Sequence, residues 1–297
     1  FKPLLPLNHR KNHDILEIPA SLKHAIRIFI ITRAIQIKEE FKKNKNSPAG
    51  GVHHTMMINV SRFNLVQKKI FNKVSEYFIK VQNSLRNFDE SDTEIINMRS
   101  SFALEFLNVK NIDLSFDDIK EILYDSTTDI AIVTSNVETK ASLNYDKPEY
   151  KDTGRKIIVI GGIQLSRGLT LEGLTTSYVL RNSGTYDTLM QMARWFGYRK
   201  VPKNYEYLCR VSLPYSSFEH YYEVSKNNDH LNDQVLNMVE NNGSPLNFGL
   251  MVRQSPTGIL ITARNKMRSA QKDFVLKENY SQRQIYIHYL HNDEKIN

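Results

Sequence analysis

Cysteine is almost absent: Cys209 is the only thiol in the 297 residues. An internal disulfide framework and a cysteine-based zinc site are both excluded. The residue's place in the apolar run 207–211 predicts a buried strand position. Long apolar runs are missing too. Runs such as 28–31 fall far short of the roughly 20 residues that cross a bilayer, and no secretory leader opens the chain. The expectation is a reducing, cytoplasmic setting without a membrane partner. No segment reads Gly-x-x-x-x-Gly-Lys-Ser/Thr, so the loop that cradles nucleotide phosphates is lacking. Internal repeats and low-complexity tracts are absent as well. The first residue is Phe1 rather than Met, which reads as a fragment of a longer protein.

Carboxylates are not clustered for nuclease chemistry, which needs several of them around a divalent metal. The nearest groupings, Glu149-Tyr-Lys151 and 273–277 (Asp273, Lys277), have no preceding Asp on a strand. Adjacent His53 and His54 point to opposite faces of a strand and read as a structural or solvent-facing pair. No metal site is expected.

What is present is basic. Forty Lys+Arg against 32 Asp+Glu leave a net charge of +8 and a pI near 9.3, which raises the expectation of a polyanionic partner. Apolar residues make up 40% of the chain and charged ones 24%, enough for a sizeable core.

Helical spacing of Leu22, Ala25, Ile26, Phe29, Ile30, Ala34 and Ile37 predicts a helix from Ser21. A charged, Ser-Pro-Ala-Gly-Gly connection follows over 38–51. Residues 55–60 read as a buried strand, and Leu65, Val66, Ile70, Val74, Phe78 and Val81 share one face of the next helix. The acidic stretch 86–128 reads as helical and as an insertion. Strands are predicted at 129–133, 156–160, 177–180 and 205–211, and a helix at 216–242. Strand–helix alternation with near-continuous apolar strands predicts an α/β fold on a parallel sheet. The domain reading is a lead-in and helix over 1–44, the α/β domain over 45–215 and a helical extension over 216–297.

Ligands of such sheets sit beyond the carboxyl ends of the strands, where Ser61-Arg62, Thr134-Ser135, Gly161-Gly162 and Ser166-Arg167 fall. Ser166-Arg-Gly168, between a double glycine and Glu172-Gly173, lets backbone come close to a sugar-phosphate; a tight turn with a salt-bridged Arg167 is the plainer reading. Arg194 and Arg199 are rigid bidentate donors for a phosphoryl group, and Gly197 between them lets a helix bend. Ordinary surface arginines beside a buried Trp195 are the alternative. Thr134–Asn136 have helix capping as their commoner role. The basic run 264–268 reads as a solvated face.

Four segments carry a family resemblance: 57–63 (Met-Ile-Asn-Val-Ser-Arg-Phe), 159–174 (through Gly-Gly-Ile-Gln-Leu-Ser-Arg-Gly-Leu-Thr-Leu-Glu-Gly-Leu), 191–199 (Gln-Met-Ala-Arg-Trp-Phe-Gly-Tyr-Arg) and 262–267. On these the chain resembles the Z-one domain family, a group described as endonucleases and found attached to superfamily-2 helicase modules in bacterial restriction and defence loci. The order of the middle segments also resembles the second motor half of such helicases, a RecA-like domain of the P-loop NTPase type. That resemblance implies nucleic-acid contacts at Ser61, Arg62, Thr134, Gly162, Ser166 and Arg167, and nucleotide contacts at Gly168, Thr170 and Glu172. It implies an arginine-finger helix with Gln191, Arg194 and Arg199. Ala193 stands where such helices carry Gly, and four residues rather than two separate the arginines. Arg199, after Gly197, is therefore the finger assigned. Thr170 replaces a frequent Asp.

The function so implied is the second half of a DNA-dependent ATPase or translocase in a restriction-modification or phage-defence system. ATP and Mg2+ would be bound mainly by an upstream motor domain of the same polypeptide, so the chain alone is not expected to hydrolyse ATP. Nucleic acid, DNA ahead of RNA, is the expected partner, with methyltransferase or nuclease subunits as further ones. The alternatives are a metal-dependent endonuclease and a degenerate motor domain kept as an interaction scaffold.

Overall fold

The computed structural model describes residues 5–6, 9–43, 53–135, 143–151, 153–162, 165, 170–180, 189–191, 206–241, 251–253, 270–275 and 284–289. The chain divides into two compact units, Phe1–Arg181 with Arg194–Leu213, and Asn182–Ala193 with Pro214–Asn297.

The first unit is built on a five-stranded parallel sheet: β1 (His54–Asn59), β2 (Ile130–Ser135), β3 (Lys156–Gly161), β4 (Leu174–Val179) and β5 (Arg210–Ser212). Their order is β2-β3-β1-β4-β5, with every pairing parallel. Parallel strands covered on both faces read as continuous apolar runs, and Met56-Met-Ile58 and Ile157-Ile-Val-Ile160 are fully buried. Asn59 pairs with Gly161, which pairs in turn with Ser135, so three strand ends share one row at the carboxyl edge.

Helices α1 (Ala20–Lys43), α2 (Asn64–Arg86), α3 (Thr93–Glu105) and α4 (Phe116–Ile119) close one face. On α2 the buried Val66, Ile70, Val74, Phe78 and Val81 recur at three to four residues and meet Met56, Ile58, Ile158 and Ile160 in one core. Leu65, expected on that face, is 55% exposed. It lies one position off the stripe, about 100° around the helix. Helix α1 is buried nearly all round, from Leu22 to Ile35. It packs on β4, α3 and α4 and is part of the sheet unit. Each fully buried Ile or Leu there contributes roughly 1.5–3 kcal/mol.

The 86–128 stretch is helical as its pattern predicts, but it is core rather than insertion: Ile95, Met98, Phe102, Phe106 and Ile119 are buried. Glu94 on α3 accepts from Arg27 Nε at 2.5 Å and from Tyr77 OH at 2.5 Å, tying α1, α2 and α3 together. Two donors to one buried carboxyl group offset part of the cost of taking it out of water.

Two strand readings shift. β4 starts at Leu174 rather than 177. The predicted strand 205–211 is a short 3-10 turn, Glu206–Leu208, before β5. Arg210 explains the curl: Nη1 donates to the carbonyls of Tyr207 and Cys209 at 2.8 and 3.0 Å while Nε reaches Glu105 at 2.8 Å. Cys209 is consequently half-buried and precedes the strand.

The second unit holds α5 (Tyr215–Glu240) and a three-stranded antiparallel sheet of β6 (Met251–Arg253), β7 (Ala270–Val275) and β8 (Gln284–Tyr289), in the order β6-β8-β7. The 216–297 stretch, expected as a helical extension, thus holds a small sheet as well as its helix. Among the described residues no helix is long and apolar enough to cross a membrane.

Candidate functional site

The carboxyl edge of the sheet gathers the strand-end segments. After β1 the chain runs through Val60, Ser61, Arg62 and Phe63 directly into α2. Ser61 is buried, and its hydroxyl is engaged twice: it accepts from the Phe63 amide at 3.1 Å and lies 2.8 Å from His9 Nε2. His9 Nδ1 sits 2.9 Å from the Pro6 carbonyl, which only accepts, so Nδ1 carries the proton. In the neutral ring, Nε2 then accepts from the Ser61 hydroxyl. Ser61 thus holds the loop, and Arg62 is its exposed member, with the guanidinium 4.8 Å over the Phe63 ring. Phe63, the N-cap of α2, makes no side-chain capping bond, and no acidic residue lies in the helix's first turn. Its leading N–H groups therefore form an anion-favouring end beside Arg62.

The exit of β3 comes up against this loop. A Cβ on Gly162 would stand 2.9 Å from both the Ser61 carbonyl oxygen and Gln67 Nε2, and 3.6 Å from Arg62 Cα. Gln67 Nε2 itself donates to that carbonyl at 2.9 Å. Only a glycine lets the two strand exits come this close. Thr134 and Ser135 are the last residues of β2 rather than a cap beyond it. The structure therefore brings Ser61, Arg62, Gly162 and Thr134 to one edge. It adds His9, Gln67 and Asn59, which the sequence reading passed over. A polar residue ending the apolar run Met56-Met-Ile58 was a visible sign for Asn59; His9 and Gln67 carried none.

Glu172 does not join that edge. Glu172 lies at the amino end of β4, where its carbonyl accepts from Thr55 Oγ1 at 2.6 Å and its carboxylate sits 3.5 Å from His53 Nε2. Thr170 is exposed nearby in sequence. Gly173 has φ +64, and a Cβ there would stand 1.7 Å from the His53 carbonyl oxygen, so the residue seats β4 against the start of β1. Gln191 is exposed and belongs to the second unit. Ser166, Arg167, Gly168, Arg194 and Arg199 lie outside the described residues, as do Asn136, Lys277 and the run 264–268.

At the amino edge, Tyr145 donates to Thr55 Oγ1 at 3.0 Å, and burial pushes its phenol up to about 12. A cavity of about 250 Å³ lies near it, lined by Asp129, Glu149, Tyr150, Arg155 and Lys156 among others. Burial, with Arg33 adding to it, lowers the Lys156 pKa against the opposing pull of Asp129 at 3.9 Å. Glu149 pairs with Lys147 at 3.5 Å. Among the described residues no three of His, Cys, Asp and Glu stand close enough to hold a metal ion. His53 and His54 do separate to opposite faces: His54 stacks on Phe29 at 4.1 Å, and His53 Nδ1 accepts from the Arg155 amide.

A family model described as the Z1 domain matches residues 21–260, from α1 past β6. The chain belongs to the Z1 domain family. The match takes in the whole parallel sheet with its carboxyl-edge loops and reaches into the second unit. No curated protein and no solved structure matches the chain.

Proposed function

We propose that this Z1 chain is the second motor half of a superfamily-2 helicase-like, DNA-dependent ATPase or translocase, its sheet unit being RecA-like in kind. One observation supports the reading above the rest. Two neighbouring parallel strands deliver their exits, Ser61-Arg62 and Gly161-Gly162, into contact at the carboxyl edge, beside an uncapped helix N-terminus. Such an edge is where open α/β sheets bind ligands. Exposed guanidinium and backbone N–H groups are donors that hold phosphates without reading sequence.

In this reading Arg62 and the first turn of α2 grip the strand backbone, while Ser61, His9, Gln67 and Gly162 keep the grip in shape. The net charge of +8 favours the polyanion. Arg199, with Arg194 and Gln191, serves as the arginine-finger helix toward ATP and Mg2+ held by an upstream motor domain. A restriction or phage-defence system is the proposed setting, and the cytoplasm the proposed compartment.

The test is the salt dependence of DNA affinity for the full chain. Arg62→Ala should weaken binding about equally on all sequences and lower the log–log salt slope by about one. A wild-type chain with no affinity for DNA, or a slope untouched by the substitution, contradicts the proposed grip.

A further inference from the structure

Asn59 closes the central strand and is fully buried, yet neither Nδ2 nor Oδ1 has a hydrogen-bond partner among the described residues. Its backbone is satisfied, the carbonyl accepting from the Leu180 amide at 3.1 Å. Ser135, ending β2, repeats the pattern: 1% exposed, with no partner for its Oγ among the described residues. Both residues are in register with Gly161, so their side chains share one sheet face about 10 Å apart, two strand spacings. Between them stands the position of that row that has no side chain. This face is opposite the one that Met56, Ile58, Ile158 and Ile160 turn to the helical core.

Buried amides are almost always paired, because leaving one unpaired forfeits its hydration. Exchanging O and N of the amide does not relieve Asn59, since both atoms are orphaned. The missing partner must therefore both accept and donate. A phosphate only accepts and would strand Oδ1; a cation would strand Nδ2. The edge of a nucleobase presents a donor and an acceptor side by side, and a carboxamide pairs with it in bidentate fashion. Ser135 can play either role.

We propose that Asn59, with Ser135 across Gly161, is a seat for the edge of an unstacked nucleobase. The inference rests on the reading of this edge as the nucleic-acid surface and adds a base contact to its backbone grip. The base comes from a bound strand or from a nucleotide. Leu165 lies over the row, its Cδ1 2.7 Å from where a Cβ of Gly161 would be. A base enters by displacing that side chain.

The full chain is tested as wild type, Asn59→Leu and Ser135→Ala against a labelled oligothymidylate, an abasic strand of equal length, and ATP. Asn59→Leu keeps the shape and removes both orphaned atoms, so it should melt no lower than wild type. It should bind the base-bearing strand about tenfold or more weakly and the abasic strand as well as wild type does. Loss confined to ATP supports the seat with the nucleotide as the source of the base. Equal loss on both strands, or unchanged affinity for all three probes, overturns the seat. So does an Asn59→Leu chain that melts lower, which would mean that internal water already pairs the amide. Ser135→Ala gives the same base-selective readout should the first variant fail to fold. Wild type that binds none of the probes fails the reading of the edge itself, whereas bound probes indifferent to both variants fail only the seat.

Discussion

Gly162 and Ser61 hold two strand exits together: a Cβ on the glycine would stand 2.9 Å from the Ser61 carbonyl oxygen. The same carbonyl takes the Gln67 side chain, so nothing near it can yield freely. Gly162→Ala should cost about 1–3 kcal/mol, the usual range for overpacking a tight site. It should also lower DNA affinity by displacing Arg62. Urea denaturation beside a binding titration checks both.

Removing Glu94 leaves Arg27 buried without its carboxylate and Tyr77 without its acceptor. Glu94→Ala should destabilise the sheet unit by roughly 3–5 kcal/mol, the range for breaking one partner out of a buried ion pair. Thermal and chemical denaturation measure this directly. The DNA affinity of the protein that remains folded should not change, since the pair lies inside the helical layer.

Tyr145 sets an alkaline limit. Burial raises its phenol from 10.0 to about 12 in the folded chain. The folded state therefore favours the protonated form, a contribution intact below pH 10 and lost as pH rises through 12. The loss across that window is on the order of 2–3 kcal/mol. Tyr145→Phe should remove this part of the alkaline decline, at the cost near neutrality of about 1 kcal/mol for the bond to Thr55. Stability measured from pH 8 to 12 on both proteins shows whether the curves converge.

Much of the sheet unit was legible because its signals are local. Apolar runs such as 156–160 and the three-to-four spacing on α2 come from burial on one side or two. The antiparallel strands β7 and β8 were passed over although Gln284–Tyr289 alternates polar with apolar residues. A period of two over so short a span is easily lost inside a basic, polar tail. At the site, residue types near strand ends were readable, and Arg62 stands where its position implied. What could not be read is distance in space. Gly162 faces Ser61 across 101 residues, and His9 reaches Ser61 across 52. Gly173 likewise answers to the His53 carbonyl, 120 residues away, and to its own left-handed φ.

The most direct test is DNA-stimulated ATP hydrolysis by the polypeptide that joins this chain to its upstream motor domain, wild type beside Arg199→Ala. The account predicts strong stimulation by DNA in the wild type and a loss of about three to five orders of magnitude in the variant. Hydrolysis that DNA does not stimulate, or a rate that Arg199→Ala leaves unchanged, would contradict it.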